Sequence, residues 1–323
     1  MRYVTIPKTN LNAACICFGT VNIGSAIDWE TSFQMMDAYL AAGGNFIDTA
    51  KVYANWLPGE RSISEKTIGR WLKTRGIRQE VILATKGAHP ELGTIHISRL
   101  SRQEITSDLN SSLRNLQTDL IDLYWLHRDD PNHPVEDILA ILNEQVKVGK
   151  IRYFGCSNWR RARIQAAQEY AQTHGLQGFS AVQNQWSLAK VNTEAMRDQT
   201  IVVMDEEIFN YHQQTGLAAI PFSSQANGYF NKKMEGKLDQ MDSAVRRMYE
   251  LPENELRYQR MLKFSKQSGF SITQIQLGYL LSQPFPVIPI IGPRTIGQLE
   301  DSLSAADVQL DHDQIKYLDK YET

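Results

Sequence analysis

Eight short runs rich in β-branched and aromatic residues punctuate this chain, at 16–19, 45–48, 81–85, 120–125, 151–156, 181–183, 218–222 and 287–291. Between them lie longer amphipathic stretches with helix-start and helix-stop signals. Residues 33–42 end at Gly43, and Ser101 with Glu104 forms a capping-box pattern opening 105–116. Ser271 with Gln274 and Thr295 with Gln298 repeat that pattern. Parallel neighbours need a long crossover, usually a helix, and right-handed crossovers around one closed sheet satisfy all eight strands without leaving an edge. The alternation therefore predicts an α/β fold of the (β/α)8 TIM-barrel class. A doubly wound sheet would carry a glycine-rich phosphate turn after an early strand, and no Gly-x-Gly-x-x-Gly occurs.

A barrel of this kind accommodates all 323 residues. No composition break, linker or internal repeat divides the chain, so one domain over 1–323 is expected. The interval 228–264 is too long for an ordinary barrel connection and is expected to be a helical insertion or a flap.

Hydrophobic residues at 42% and charged residues at 22% suit a globular chain with a large core. A net charge of −2 provides no general attraction for phosphate backbones, so nucleic acid is excluded as an expected partner. The apolar run 13–18 is too short to span a bilayer, and the start of the chain lacks the charge and apolar length of a signal peptide. A cytoplasmic protein without membrane attachment is expected. Cys15, Cys17 and Cys156 read as buried thiols rather than a disulfide framework, and no zinc-ligand spacing is present.

Residues at the C-terminal ends of barrel strands converge on one mouth, where chemistry takes place. Asp48 closes the second run, Tyr53 follows in its loop, Lys86 follows the third, and His127 follows the fourth. A phenol is a poor proton donor and acceptor near neutral pH unless a cation favours its ionised form. Lys86 can supply that cation, Asp48 can keep it charged, and His127 can orient a carbonyl oxygen beside Tyr53.

The segment Gly43-Gly-Asn-Phe-Ile-Asp48-Thr-Ala-Lys-Val-Tyr53 resembles the aldo-keto reductase signature, as do Ser64-Glu65, Ile68-Gly69 and Leu72 behind it. Ala84-Thr-Lys86, Asp122-Leu-Tyr-Trp-Leu-His127 and Gly149-Lys-Ile-Arg-Tyr-Phe-Gly-Cys-Ser157-Asn158 continue the likeness in order, which spans about residues 19–303. The resemblance implies a (β/α)8 barrel, a nicotinamide cofactor held without a Rossmann domain, and Asp48, Tyr53, Lys86 and His127 as catalytic residues. It implies that Gly19, Thr20 and Asp48 border the cofactor and that Ser157, Asn158 and Gln183 bind the nicotinamide carboxamide. Phe222 falls where the family places a ring under the nicotinamide, with Ser223 and Gly228 near the pyrophosphate. Gly292, Arg294, Gln298, Asp301 and Ser302 match the adenosine segment, where Arg294 is the cation suited to a 2′-phosphate. NADPH is thus the expected cofactor, with NADH possible because Gly292-Pro293 and Gln298 replace basic or hydroxyl residues of some relatives.

Asn22, Trp56, Trp125, Arg128 and Trp159 flank these motifs and are candidates for the substrate pocket, and Arg128-Asp-Asp130 suggests hydroxylated or charged carbonyls. The expected reaction is hydride transfer to an aldehyde or ketone with Tyr53 as general acid, on a small carbonyl or sugar-like substrate. Oxidation of a sugar or cyclic polyol by the same residues is the alternative direction. A nucleotide-sensing regulatory subunit is an alternative of another class. A Schiff-base aldolase is disfavoured because Asp48 would keep Lys86 protonated.

Overall fold

The structure is a computed structural model that describes residues 1–319. Strands β1 (Tyr3–Thr5) and β2 (Asn12–Ala14) form an antiparallel hairpin. The parallel sheet follows as β3 (Cys17–Gly19), β4 (Phe46–Asp48), β5 (Ile82–Gly87), β6 (Ile121–Leu126), β7 (Ile151–Ser157), β8 (Ala181–Gln183), β9 (Ala218–Ala219) and β10 (Ile290–Ile291). From β3 to β9 each pairs with the next, and β10 pairs with β3. The ring closes where Ala219 meets Val287, with Ala219 N donating to Pro286 O and Ile288 N to Ala219 O, both at 2.9 Å. This is the (β/α)8 barrel. Its last two strands are shorter than the apolar runs at 218–222 and 287–291, because Pro221 and Pro289 supply no ladder donor.

Around the barrel run α1 (Trp29–Ala41), α2 (Ile63–Arg75), α3 (Arg102–Leu116), α4 (Val135–Lys147), α5 (Arg161–Thr173) and α6 (Glu206–Thr215). Helix α1 begins four residues before the expected start, since the Asp28 carboxylate accepts from Thr31 N at 2.8 Å and caps it. Ser101 and Glu104 make the expected capping box. The interval 228–264 is helical: α7 (Tyr229–Met234), α8 (Ser243–Tyr249) and α9 (Pro252–Ser268) bury Tyr229, Phe230, Tyr249 and Met261 in a core cluster shared with α10 (Ile272–Leu281). Helix α10 carries the second capping box, from Ser271 and Gln274. In α11 (Ile296–Leu303) the third is only half made. Thr295 accepts from Gln298 N, but the Gln298 side chain accepts instead from Arg294 N at 2.8 Å. Helix α12 (His312–Asp319) ends the described chain. Among the described residues no helix is long and apolar enough to cross a membrane.

Strand side chains alternate between two environments. Phe18, Ile47, Leu83, Tyr124 and Leu126 face the helices. Cys17, Phe46, Ala84, Leu123, Trp125 and Ala181 fill the barrel, joined by Ile6, Leu11 and Ala13 of the hairpin segment. That parity sets the site, because Asp48, Lys86 and Gln183 share the inward face with Phe46, Ala84 and Ala181 and lie two residues nearer the C-terminal mouth. Cys15, Cys17 and Cys156 are buried free thiols, although Cys15 lies just before β3 rather than on a strand.

Candidate active site

Lys86 is the hub. Its ammonium pairs with the Asp48 carboxylate, donates to Thr49 O at 2.8 Å, and donates to the Tyr53 hydroxyl at 2.9 Å. Asp48 and Lys86 are each 1% exposed, so this ion pair is sealed from water. Burial pushes the Lys86 pKa down, but Asp48 and Tyr53 outweigh it and leave the pKa above its ordinary value. Tyr53 differs from the expectation of a lowered phenol pKa. Burial dominates and raises it, with Lys86 pulling the other way and Asp48 adding to the rise. In the resting site Tyr53 is therefore a neutral phenol.

His127 lies beside this chain, its ring 6.2 Å from that of Tyr53. Burial, His89, Arg128 and Lys86 together hold its pKa well below the usual imidazole range. Its Nδ1 is buried without a hydrogen-bond partner. A sealed N–H costs more than a sealed lone pair, so the proton belongs on Nε2.

Gln183, Ser157 and Asn158 converge on the same mouth but are already engaged. Gln183 Nε2 donates to Asp48 Oδ1 at 3.1 Å, and Ser157 Oγ donates to Gln183 O at 2.7 Å. Asn158 adopts left-handed φ of 62° and bridges His127 O, Ser157 Oγ and Val202 N. Thr20 Oγ1 donates to Asp48 O at 2.9 Å and fixes the end of β4. A side chain at Gly19 would come within 2.6 Å of Ile290 Cγ2 and 2.8 Å of Ile291 O, so the closing strands require a glycine there.

The two segments matched to pyrophosphate and adenosine are joined. Ser224 Oγ donates to Ile290 O at 2.6 Å, and Gln225 Nε2 donates to Ser302 Oγ at 3.2 Å. Ser223, Ala226, Asn227 and Gly228 all take positive φ, so this loop follows a strained path. Phe222 is half-buried, and Ser223 Oγ donates to Asn227 Oδ1 at 3.3 Å. Gly292 and Arg294 are exposed at the entry to α11, while Asp301 lies on that helix within 3.4 Å of Ser271 Oγ. Ser302 is buried and donates to Gln298 O, which makes it a packing residue of α11.

The substrate-pocket candidates divide. Trp56 is 52% exposed and contacts Tyr53 edge-on, and Asn22 is half-buried in the loop after β3. Trp125 is fully buried inside the barrel, in register with Lys86. Trp159 does not line the mouth: it packs in the layer between barrel and helices against Phe179 and Arg163, because the turn at Asn158 directs the following residue outward. Arg128 is locked by bonds to Thr200 Oγ1, His127 O and Asp198 Oδ2 at 2.7–2.8 Å.

One residue at the mouth was passed over. His89 follows β5 and packs edge-on against His127, ring centroids 4.7 Å apart. Its place three residues beyond Lys86, on a barrel strand's C-terminal loop, was the available signal. Asp198 and Thr200 offered none, since they reach Arg128 from a distant segment.

The sequence matches the family model described as Aldo/keto reductase family over residues 15–323. This chain belongs to the aldo/keto reductase family. The chain is 31% identical to the uncharacterized oxidoreductase YrpG of Bacillus subtilis, over 98% of its own length and 95% of that protein. It is 30% identical to the norsolorinic acid reductase stcV of Emericella nidulans, covering 97% of this chain and 79% of that one. The crystal structure of the thermostable aldo-keto reductase Tm1743 with the inhibitor epalrestat shares the fold, with TM-score 0.73, 23% identity and 99% coverage of both chains.

Proposed function

We propose that this oxidoreductase is an NADP(H)-dependent carbonyl reductase that converts aldehydes or ketones to alcohols, with Tyr53 as general acid. The carrying observation is the buried chain from Asp48 through Lys86 to the Tyr53 hydroxyl. Tyr53 and the Nε2–H of His127 both donate to the carbonyl oxygen. The Tyr53 proton passes to that oxygen as the carbon is reduced. Lys86 stabilises the phenolate left behind, and Asp48 keeps Lys86 charged in a site where burial opposes charge.

Groups that the fold leaves unused suit a nicotinamide dinucleotide. Gln183 Oε1 accepts no hydrogen bond among the described residues, although its Nε2 is engaged. The Arg294 guanidinium is exposed without an ion-pair partner among them, beside the open backbone of Gly292. Ser157, Asn158 and Gln183 would hold the carboxamide, Phe222 the nicotinamide face, and Ser223 and Gly228 the pyrophosphate, with Gly19 and Thr20 as the neighbouring wall. Arg294 would carry most of the 2′-phosphate, since Gln298 and Ser302 are engaged within α11. When bound, NADPH supplies the hydride.

The test is a panel of aldehydes, ketosugars, inososes and α-dicarbonyls followed by loss of NADPH absorbance, with wild type and Tyr53→Phe in parallel. Removing the general acid should lower turnover by about 10²–10⁴-fold while leaving NADPH affinity nearly unchanged. Near-normal turnover by Tyr53→Phe refutes the mechanism.

A further inference from the structure

Two imidazoles meet at the mouth, and their proton positions follow from their surroundings. His89 Nδ1 lies 2.6 Å from Pro90 O. A carbonyl only accepts, so His89 carries its proton on Nδ1 and its Nε2 is a bare lone pair. Burial and the charge of Arg128 lower the His89 pKa and favour this neutral form. No hydrogen-bond partner within the described residues occupies its Nε2. For His127 the polarity is reversed, since its sealed nitrogen is Nδ1 and its proton sits on Nε2.

The ring of His89 is held in place from behind. Ala88 takes left-handed φ of 57°, unusual for a residue with a side chain, and its N–H donates to Asp108 Oδ2 at 3.0 Å. The same carboxylate pairs with Lys51, two residues before Tyr53, and with Arg99. Asp108 thus braces together the loop that carries the phenol and the loop that carries the second imidazole. A strained backbone maintained by a buried carboxylate is a built feature, one that aims the His89 ring at His127.

The mouth therefore presents two donors, Tyr53 O–H and His127 Nε2–H, and beside them one acceptor, His89 Nε2. A carbonyl oxygen uses the two donors. The acceptor matches a hydroxyl on the neighbouring carbon, because vicinal oxygens lie within hydrogen-bond distance of each other and the two rings are in contact. A carboxylate in that position would meet a lone pair. The charge of Arg128 is offset by its ion pair with Asp198, and three of its five N–H groups are already engaged within the protein.

We propose that His89 is a specificity-determining residue whose Nε2 accepts a hydrogen bond from a hydroxyl next to the reacting carbonyl, which selects uncharged α-hydroxy aldehydes and ketones. This rests on the carbonyl-reductase reading and narrows the expected hydroxylated or charged carbonyls to the hydroxylated ones.

The experiment compares kcat/KM with NADPH for matched pairs, 2-hydroxypropanal against propanal and 2-hydroxyacetophenone against acetophenone, in wild type, His89→Phe and His89→Gln. Comparing the hydroxylated-to-plain ratio between proteins cancels the intrinsic reactivity of each substrate. One neutral hydrogen bond at a half-exposed site corresponds to about two- to tenfold. The ratio should fall by about that factor in His89→Phe and recover in part in His89→Gln, whose side-chain oxygen can accept. An unchanged ratio in His89→Phe overturns the assignment while leaving carbonyl reduction intact, and so does an equal loss on both members of each pair. If wild type turns over neither member of either pair, nor any carbonyl of the wider panel, carbonyl reduction falls and the assignment with it.

Discussion

Replacing Lys86 by Met separates what the buried ion pair does for the fold from what it does for the reaction. Asp48 is 1% exposed, and without Lys86 its only remaining side-chain partner among the described residues is Gln183 Nε2 at 3.1 Å. Breaking a buried pair by removing one member costs about 3–5 kcal/mol, because the other charge stays buried. The effect on chemistry follows from distance. The ammonium lies 2.9 Å from the phenol oxygen, and at an effective dielectric constant of about 20 unit charges this close interact by about 6 kcal/mol. Proton transfer is partial in the transition state, so the loss of turnover should be about 10²–10⁴-fold. The double variant Asp48→Asn with Lys86→Met removes both charges. Both variants leave Thr49 O without its donor, so that loss cancels between them, and the double should be more stable than Lys86→Met alone by about the 3–5 kcal/mol of the uncompensated charge. It should remain as inactive as the single variant. Urea unfolding at pH 7 of wild type, both single variants and the double, with NADPH oxidation measured on the same samples, tests both halves. A double variant no more stable than Lys86→Met, or one that regains turnover, refutes the reasoning.

Gln183→Ala should weaken cofactor binding by about two- to tenfold, the worth of one neutral hydrogen bond; unchanged affinity by fluorescence titration removes Gln183 from the carboxamide site. Arg294→Ala should raise the dissociation constant for NADPH by about tenfold, the lower end for a charged hydrogen bond because the residue is exposed, and leave NADH almost unaffected. Equal losses for the two cofactors would move the phosphate site elsewhere. The depressed pKa of His127 means that the unfolded chain binds its proton more readily than the folded one. Its contribution to stability is therefore complete above the unfolded imidazole value of about 6.5 and is lost as pH falls below it. His127→Gln should flatten the fall in urea midpoint between pH 7 and 5, by up to about 1.4 kcal/mol per pH unit in the underlying free energy. Parallel wild-type and variant profiles contradict the buried neutral assignment.

The barrel was legible because its cause is local and repeated: eight β-rich runs alternate with capped amphipathic segments, and the inward parity of 46 and 48, or 84 and 86, follows from a two-residue period. Their positions at the C-terminal ends of the second and third runs put Asp48 and Lys86 at one mouth. Strand lengths near the seam were less legible, since the prolines at 221 and 289 remove donors from runs that otherwise read as longer strands. Trp159 stood beside Asn158 in the chain, yet only the left-handed turn at Asn158 shows that it packs away from the mouth. Engagement was not readable either: Arg128 is immobilised by Asp198 and Thr200, seventy or more residues away, and Gln298 binds backwards to Arg294 N rather than closing its box. The sequence alone determined the periodicities, and with them the sheet, its closure and the kinds of group that gather at its end. Tertiary structure decided what each group is free to do. Burial reversed the expected shift of Tyr53, and the brace at Asp108 set His89 beside His127, because desolvation and hydrogen-bond occupancy depend on neighbours that come from distant parts of the chain.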